Sequence, residues 1–234
     1  MCDLAEEIRE SIKNAPTKPL KGFNPERYMG TKHPYVGLST KAKTDIAKSF
    51  FLKHPDLRFE DMIQVVTHLM RGISFEEKTI GSFLLNSYKH SASLITPDHI
   101  QTWLYSLEGW CEIDTLCQNR LNENILIENW NLWNKGLTRF AKHANINHRR
   151  ASLVLLCKPL RQTTDIRVYN LAIQNIEILK QEKDILITKA ISWALRECTK
   201  KFNIQIAEYV SKNNKSLPAI AVRETNRKLL TGKK

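Results

Sequence analysis

The stretch SLEGWCEIDTLC, residues 106–117, places an aromatic ring and a carboxylate where they could act together. Trp110 and Asp114 are four residues apart, and residues at that spacing share one face of a helix. A carboxylate in a protected site can stabilise a positive charge that develops in a transition state. The surrounding residues are mostly apolar, so a core helix is the alternative. In that case Trp110 would be buried and Asp114 would cap a helix or pair with an arginine.

A second candidate surface lies in ITKAISWALRECTKK, residues 187–201. Three cations and a tryptophan recur there at offsets of 4, 7 and 11, and therefore form one helical stripe: Lys189, Trp193, Arg196 and Lys200. A basic and aromatic stripe suits contact with phosphates and bases. The alternative is a half-buried tryptophan covered by the aliphatic stems of long basic side chains.

The segment NINHRRASLVLL, residues 145–156, opens a predicted helix with His148, Arg149 and Arg150. Cations in a first helical turn are disfavoured by the helix dipole. An anion must offset that cost, and a phosphate would serve. A salt bridge to Asp114 or to a neighbouring glutamate would serve equally well.

The charge of the chain is concentrated at one end. The 234 residues carry a formal net charge of +12. Residues 135–234 hold 21 Lys and Arg against 7 Asp and Glu, a net charge of +14, whereas residues 1–134 carry −2. A domain this basic usually binds a polyanion, most often nucleic acid. A membrane surface or an acidic protein is the alternative partner.

Several classes of protein are disfavoured by the sequence. No run approaches 18 apolar residues, which argues against a transmembrane helix, and the N-terminus lacks the features of a signal peptide. The five cysteines are widely spaced without a CxxC motif, so neither a disulfide framework nor a zinc site is expected. No P-loop, GxGxxG, HExxH or GxSxG motif occurs. We therefore expect a cytoplasmic protein that needs no metal or organic cofactor.

Helical patterns follow an N-terminal loop. Residues 15–39 hold four of the eight prolines and three of the eight glycines, which predicts an irregular loop. Its aromatic residues, Phe23, Tyr28 and Tyr35, predict that this loop packs on the rest of the protein. Helices are predicted over about 40–54, 58–71, 75–89, from 97 onward, 112–120, 124–143, 148–157, 164–181, 184–201, 203–212 and 218–230.

The predicted fold is therefore all-α. Short helices with short breaks favour a single domain over residues 1–234, built as a HEAT-like or armadillo-type α-solenoid of antiparallel helix pairs. Such an array offers a concave surface, here a basic groove wide enough for a duplex. A compact irregular helical bundle is the alternative.

Four sequence blocks in order resemble a known family: YMGTKHPYVGLST, WCEID, NHRRASL and TKAISWALRE. The chain resembles the AlkD-type DNA alkylation repair family, bacterial alkylpurine DNA glycosylases built from HEAT-like repeats. The resemblance covers about residues 24–230. It implies hydrolysis of the N-glycosidic bond of cationic N3- and N7-alkylated purines in double-stranded DNA, by a monomeric, monofunctional enzyme of base excision repair.

The resemblance also implies roles for individual residues. Asp114 matches the catalytic aspartate, and Trp110 and Trp193 match the aromatic pair beside the lesion. Arg150, in preference to Arg149, matches an arginine on the DNA backbone, and Tyr28 matches a tyrosine of the N-terminal loop that contributes to lesion contact.

The chain departs from the family pattern in three places. Gly109 and Cys111 stand where a second aromatic residue often accompanies the first tryptophan, and Asn147 stands where an aromatic residue often precedes the arginine. These departures predict a more open site. A non-catalytic relative that binds distorted or branched DNA, or a HEAT-type protein scaffold, is the alternative function.

Overall fold

The computed structural model describes residues 2–17, 22–88, 91–118 and 120–233, and over these residues the chain is helical without a strand. Part of the predicted 15–39 loop, residues 18–21, and the end of the predicted 75–89 helix lie outside the described residues. The helices are α1 Cys2–Asn14, α2 Pro25–Met29, α3 Thr40–Lys53, α4 Phe59–Met70, α5 Phe75–Ser87, α6 Ser91–Leu94, α7 Pro97–Leu104, α8 Gly109–Cys117, α9 Glu123–Glu128, α10 Trp130–Ala141, α11 Ile146–Val154, α12 Cys157–Gln162, α13 Ile166–Leu179, α14 Ile185–Cys198, α15 Asn203–Lys212 and α16 Ala219–Thr231.

The predicted all-α class is confirmed. Helices pack in pairs, among them α3 with α5, α4 with α5, α10 with α11 and α14 with α16, which is the arrangement that an α-solenoid requires. None of the described helices combines the length and apolar character needed to cross a bilayer.

The chain groups into two compact units, Met1–Ile95 with Thr102–Leu116, and Thr96–Gln101 with Cys117–Lys234. In the first unit, α4 and α5 carry much of the apolar core, including Val65, Leu69 and Leu84, each with an exposed fraction of 0%. Trp103 is buried against this layer and its indole N–H donates to the Thr67 hydroxyl at 2.9 Å.

In the second unit, α13 and α14 bury an apolar stripe that includes Ile176, Ile187 and Ile191, each fully buried. Asn175 is also fully buried among these helices, and its amide N–H₂ donates to the carbonyl of Ser152 at 3.3 Å. Of the basic side chains on these two helices, Arg167 and Lys189 are exposed, whereas Arg196 is buried.

Side-chain caps explain several helix starts. The hydroxyl of Ser39 accepts from Ala42 N at the start of α3. Ser74 and Glu77 form a reciprocal capping box at the start of α5. Asp165 and Asp184 each accept a main-chain N–H two residues on, which begins α13 and α14. Short polar side chains thus satisfy first-turn donors that the helix leaves open.

Three predicted boundaries were wrong. The helix expected over 112–120 begins at Gly109 and ends at Cys117. The one expected over 124–143 is broken at Asn129, whose φ of −113° and ψ of 35° interrupt it between α9 and α10. The one expected over 148–157 begins at Ile146, because Asn145 caps it, and it ends at Val154. The break at Asn129 contains neither proline nor glycine, so no local signal marks it.

Candidate active site

In the first unit, α8 carries Trp110 and Asp114 on one face. Asp114 is 5% exposed, whereas Trp110 is partly exposed. The indole Nε1 of Trp110 donates to the main-chain oxygen of Tyr28 at 2.7 Å. The two rings lie edge to face with centroids 5.7 Å apart. The structure therefore brings Tyr28, Trp110 and Asp114 into one unit and fixes the orientation of the indole through the loop.

Two glycines allow the loop to approach α8. Gly30 and Gly109 have φ values of 74° and 67°, in the left-handed region that favours glycine. A Cβ at Gly109 would lie 2.1 Å from the carbonyl oxygen of Met29. The backbone of the loop therefore occupies the space where a side chain at position 109 would stand.

A carboxylate of α8 fastens the loop. Glu112 is 1% exposed, and its Oε1 accepts the Thr31 hydroxyl at 2.6 Å and lies 2.9 Å from His33 Nδ1. Its other oxygen accepts the main-chain N–H of Glu108 at 2.8 Å. Lys32 N donates in turn to the Glu108 carboxylate at 2.9 Å. Because these bonds hold both the loop and the start of α8, they set the position of Trp110.

A second buried carboxylate holds the far end of the loop. Glu76 of α5 is 0% exposed. Its oxygens accept three successive main-chain N–H groups, those of Val36, Gly37 and Leu38, at 2.9, 3.0 and 3.3 Å. The buried charge is thereby satisfied by hydrogen bonds, as burial of a carboxylate requires.

The aromatic residues of the loop pack in series. Phe23 contacts both Tyr28 and Tyr35, with centroids 5.7 and 5.6 Å apart, and Tyr35 contacts Phe75 of α5 at 5.5 Å. Through these rings the described part of the loop contacts α5. The ammonium of Lys43 lies 4.4 Å from the centre of the Phe75 ring.

The Cys111 thiol lies near Asp114, and the buried Lys43 lies near that thiol. Burial lowers the pKa of Lys43, against the opposing effect of Glu76, Cys111 and Glu112. Burial likewise raises the pKa of the Cys111 thiol, and the charges of Asp114 and Glu112 raise it further, while Lys43 opposes them. The thiol beside the aspartate is therefore protonated at neutral pH. Sequence reasoning missed Lys43 because its partners are remote in the chain.

In the second unit, Arg149 is engaged by the protein. Its guanidinium makes a bidentate pair with Glu182, with bonds of 2.8 and 3.1 Å. It also donates to the carbonyls of His143 and Ala144 at 2.9 and 2.6 Å. The predicted alternative, a glutamate as the anion beside these first-turn cations, is confirmed for Arg149.

Its neighbours on α11 have different surroundings. His148 is fully buried and stacked on His143 with ring centroids 3.9 Å apart. Burial, with the charges of His143 and Arg139, lowers the pKa of His148 to about 4, so it is neutral at pH 7 and does not act as the cation that the sequence suggested. Arg150 is 4% exposed and donates to the main-chain oxygen of Leu186 at 2.5 Å.

The predicted stripe on α14 is only partly a surface. Lys189 and Lys200 are exposed and Trp193 is partly exposed, but Arg196 is 9% exposed. The Nε of Arg196 donates to Ser192 O at 3.1 Å and lies 3.3 Å from the Glu224 carboxylate of α16. The helical period predicted that Arg196 faces solvent with the rest of the stripe. Packing of α16 against α14 covers it instead.

A family model described as DNA alkylation repair enzyme matches residues 15–229. The chain belongs to this family. Membership confirms the resemblance seen in the four sequence blocks and gives the protein a role in the repair of alkylated DNA.

A solved structure described as a predicted DNA alkylation repair enzyme from Enterococcus faecalis has the same fold, with a TM-score of 0.64 at 15% identity. The match covers 92% of this chain and 97% of that one. A comparison with curated protein sequences found no match.

At Gly109, where the sequence predicted a more open site, the space beside the residue is filled. Gly109 does not leave a gap, because the main chain of Met29 and Gly30 occupies that space. Asn147 is 7% exposed and its main-chain N–H is held by the Asn145 side chain at 2.8 Å. The expectation of a more open site is therefore wrong at Gly109.

Proposed function

We propose that this protein is a monofunctional DNA glycosylase that hydrolyses the N-glycosidic bond of cationic N3- and N7-alkylated purines in duplex DNA, as a step of base excision repair. The observation that carries the proposal is the placement of Asp114. It is 5% exposed and shares a helix face with Trp110, whose indole is fixed by Tyr28. A carboxylate held at so protected a place exerts a stronger electrostatic effect than one in water.

The chemistry requires few groups. Alkylation at N3 or N7 gives the base a positive charge, so it leaves as a neutral base when the bond to C1′ breaks. The sugar then develops oxocarbenium character. The Asp114 carboxylate stabilises that charge and orients a water, whose oxygen bonds to C1′ and whose proton is released. The indole faces of Trp110 and Trp193 favour a cationic base over a neutral one.

The remaining predicted residues hold the DNA. Arg150 is proposed as the backbone contact because it matches the family's arginine. Its guanidinium donates to the main-chain oxygen of Leu186, whereas that of Arg149 is engaged by Glu182 and two carbonyls. Lys189 and Lys200 are exposed and available to phosphates. Arg196 contributes positive potential from a buried place, and Tyr28, which is 64% exposed, contributes lesion contact.

The proposal also includes the oligomeric state, cellular location and domain organisation of the protein. It acts as a monomer in the cytoplasm of a bacterium, as one HEAT-like domain over residues 1–234 with a concave basic groove. No metal or organic cofactor takes part, since the leaving group is already activated by its charge.

The test is release of free alkylated base from methylated duplex DNA. Wild type should release N3- and N7-methylpurines, and Asp114→Asn should slow the release about 100-fold or more. The matched control is Asp56→Asn, which changes an exposed carboxylate in the turn between α3 and α4 and should keep the wild-type rate. Thermal unfolding of each variant checks that it is folded.

Other outcomes separate the alternatives. If wild type releases no base but binds branched or damaged duplex, the protein is a non-catalytic DNA-binding relative. If duplex binding shows no dependence on salt, the scaffold alternative holds, because neutralisation of phosphates makes affinity fall steeply with salt.

A further inference from the structure

A buried carboxylate on α14 connects a candidate lesion-contacting residue to a group of cations. Glu197 is 8% exposed. Its Oε1 accepts the indole N–H of Trp193 at 2.9 Å, and its Oε2 lies 3.4 Å from the Nε of Arg161. Among the described residues, that Oε2 accepts no hydrogen bond. Glu197 therefore orients the tryptophan with one oxygen and faces a guanidinium with the other.

Arg161 and Lys228 interact with this carboxylate, and Arg196 and Lys200 lie close enough to Lys228 to act on its charge. Burial lowers the pKa of Lys228, Glu197 opposes that effect, and the charges of the other three cations lower it further. The only carboxylates paired with the group in the described residues are Glu197 and Glu224, so positive charge is in excess.

The four cations differ in how accessible they are to a ligand. Arg196 is held inside by Ser192 and Glu224. By contrast, the Arg161 side chain is 40% exposed, Lys200 is exposed and Lys228 is partly exposed. Because Arg161 and Lys200 both repel Lys228, the three accessible cations would gain from a bound anion with several charged oxygens.

We propose that Arg161, Lys200 and Lys228 form a binding site for a DNA backbone phosphate, and that Glu197 couples this site to the orientation of Trp193. The ligand follows from the proposed function, on which this inference rests. Arg161 presents a planar fork that suits two phosphate oxygens, and the two ammonium groups add point charges beside it. Neither Arg161 nor Lys228 belongs to a helical stripe that could have been identified in the sequence.

The first experiment measures how duplex affinity depends on salt, with unmodified DNA. The double variant Arg161→Gln/Lys228→Gln should have a slope of log K against log[salt] that is shallower by about 0.9, the contribution of one lost phosphate contact. Lys215→Gln is the control, because Lys215 is an exposed lysine of the same unit in the turn after α15, and it should keep the wild-type slope. A double variant with the slope of the control overturns the site.

The second experiment changes Glu197 alone. Glu197→Gln keeps an oxygen that can accept the Trp193 N–H but removes a negative charge from the cation cluster. Duplex binding at 0.2 M salt should tighten by about three-fold or more, as expected when the charge of a phosphate site rises by one unit. Damage to the fold would weaken binding, so unchanged or weaker binding in a folded variant overturns the role given to Glu197.

These results are separable from the fate of the glycosylase proposal. The salt slopes are read on undamaged duplex and need no chemistry. A wild type that releases no base, combined with a shallower slope for the double variant, removes the activity and keeps the phosphate site. Base release by wild type, combined with an unchanged slope, removes the phosphate site and keeps the activity.

Discussion

The indole of Trp110 is bonded to the main chain of Tyr28, over 2.7 Å and across 82 positions of sequence. The N–H edge of the indole is therefore hydrogen-bonded to the loop. The orientation of the indole depends on the loop as well as on α8. A change that moves the loop should therefore alter the surroundings of Asp114 without touching either residue.

The close approach of the loop to α8 at Gly109 gives the first prediction. Gly109→Ala introduces a Cβ 2.1 Å from Met29 O at a φ of 67°. Gly22→Ala introduces the same kind of backbone strain at a φ of 74°, with nothing within 4 Å of the new Cβ. We expect Gly22→Ala to lower the free energy of unfolding by about 1 kcal/mol, and Gly109→Ala by about 1–3 kcal/mol more through overpacking. Urea unfolding measures both, and equal losses would contradict the close approach.

A second prediction separates the two arginines of α11. Arg149→Gln should lower the free energy of unfolding by about 1 kcal/mol, since it removes a partly exposed ion pair with Glu182 and two bonds to carbonyls. Its salt slope for duplex binding should stay that of wild type. Arg150→Gln should make that slope shallower by about 0.9. The assignment is reversed if Arg149→Gln gives the shallower slope.

The third prediction concerns acid stability. The pKa of His148 is about 4 in the folded protein and about 6.5 in an unfolded chain. The unfolded state therefore binds the proton first, so stability is complete above pH 6.5 and falls as the pH drops toward 4. The loss should reach about 3 kcal/mol.

The matched variant for this effect is His148→Gln, whose amide can still donate to the Gln101 carbonyl that His148 contacts at 3.2 Å. Urea unfolding at pH 7, 6 and 5 should show a steeper fall for wild type than for the variant. Parallel curves would show that His148 is protonated in the fold.

The fourth prediction is that alanine substitution at two helical glycines changes the stability in opposite directions. A Cβ at Gly136 of α10 would lie 2.5 Å from the ring of Pro97, which cannot move aside. A Cβ at Gly81 of α5 would lie 3.1 Å from the flexible end of Met70. Gly136→Ala should lose about 1–3 kcal/mol of stability, whereas Gly81→Ala should gain up to about 1 kcal/mol from helix propensity. Thermal or urea unfolding compares them, and a stabilised Gly136→Ala would contradict this packing.

Local signals in the sequence predicted most of the fold. The Ser39 cap and the helix over Asn203–Lys212 could be identified because capping and periodicity act within a few residues. The break at Asn129 could not, since it contains neither proline nor glycine, and its turn depends on how α9 and α10 pack.

In the candidate site too, local features could be predicted from the sequence and long-range contacts could not. The shared face of Trp110 and Asp114 is a property of four-residue spacing, so the sequence predicted it. The bond from Thr31 to Glu112 spans 81 positions, and burial of Arg196 depends on Glu224 of another helix. No pattern within one helix contains that information.

The way in which Glu76 and Glu112 hold the N-terminal loop bears on how such proteins can diverge. Glu76 binds main-chain N–H groups at positions 36, 37 and 38, and every amino acid except proline supplies that group. The path of the loop is therefore encoded by glutamates outside it together with its own Gly30 and Gly37, whose φ values of 74° and 92° favour glycine. An exposed position such as Val36 is then open to substitution by mutation or by design, so that the surface of the loop could be altered while Trp110 keeps its place.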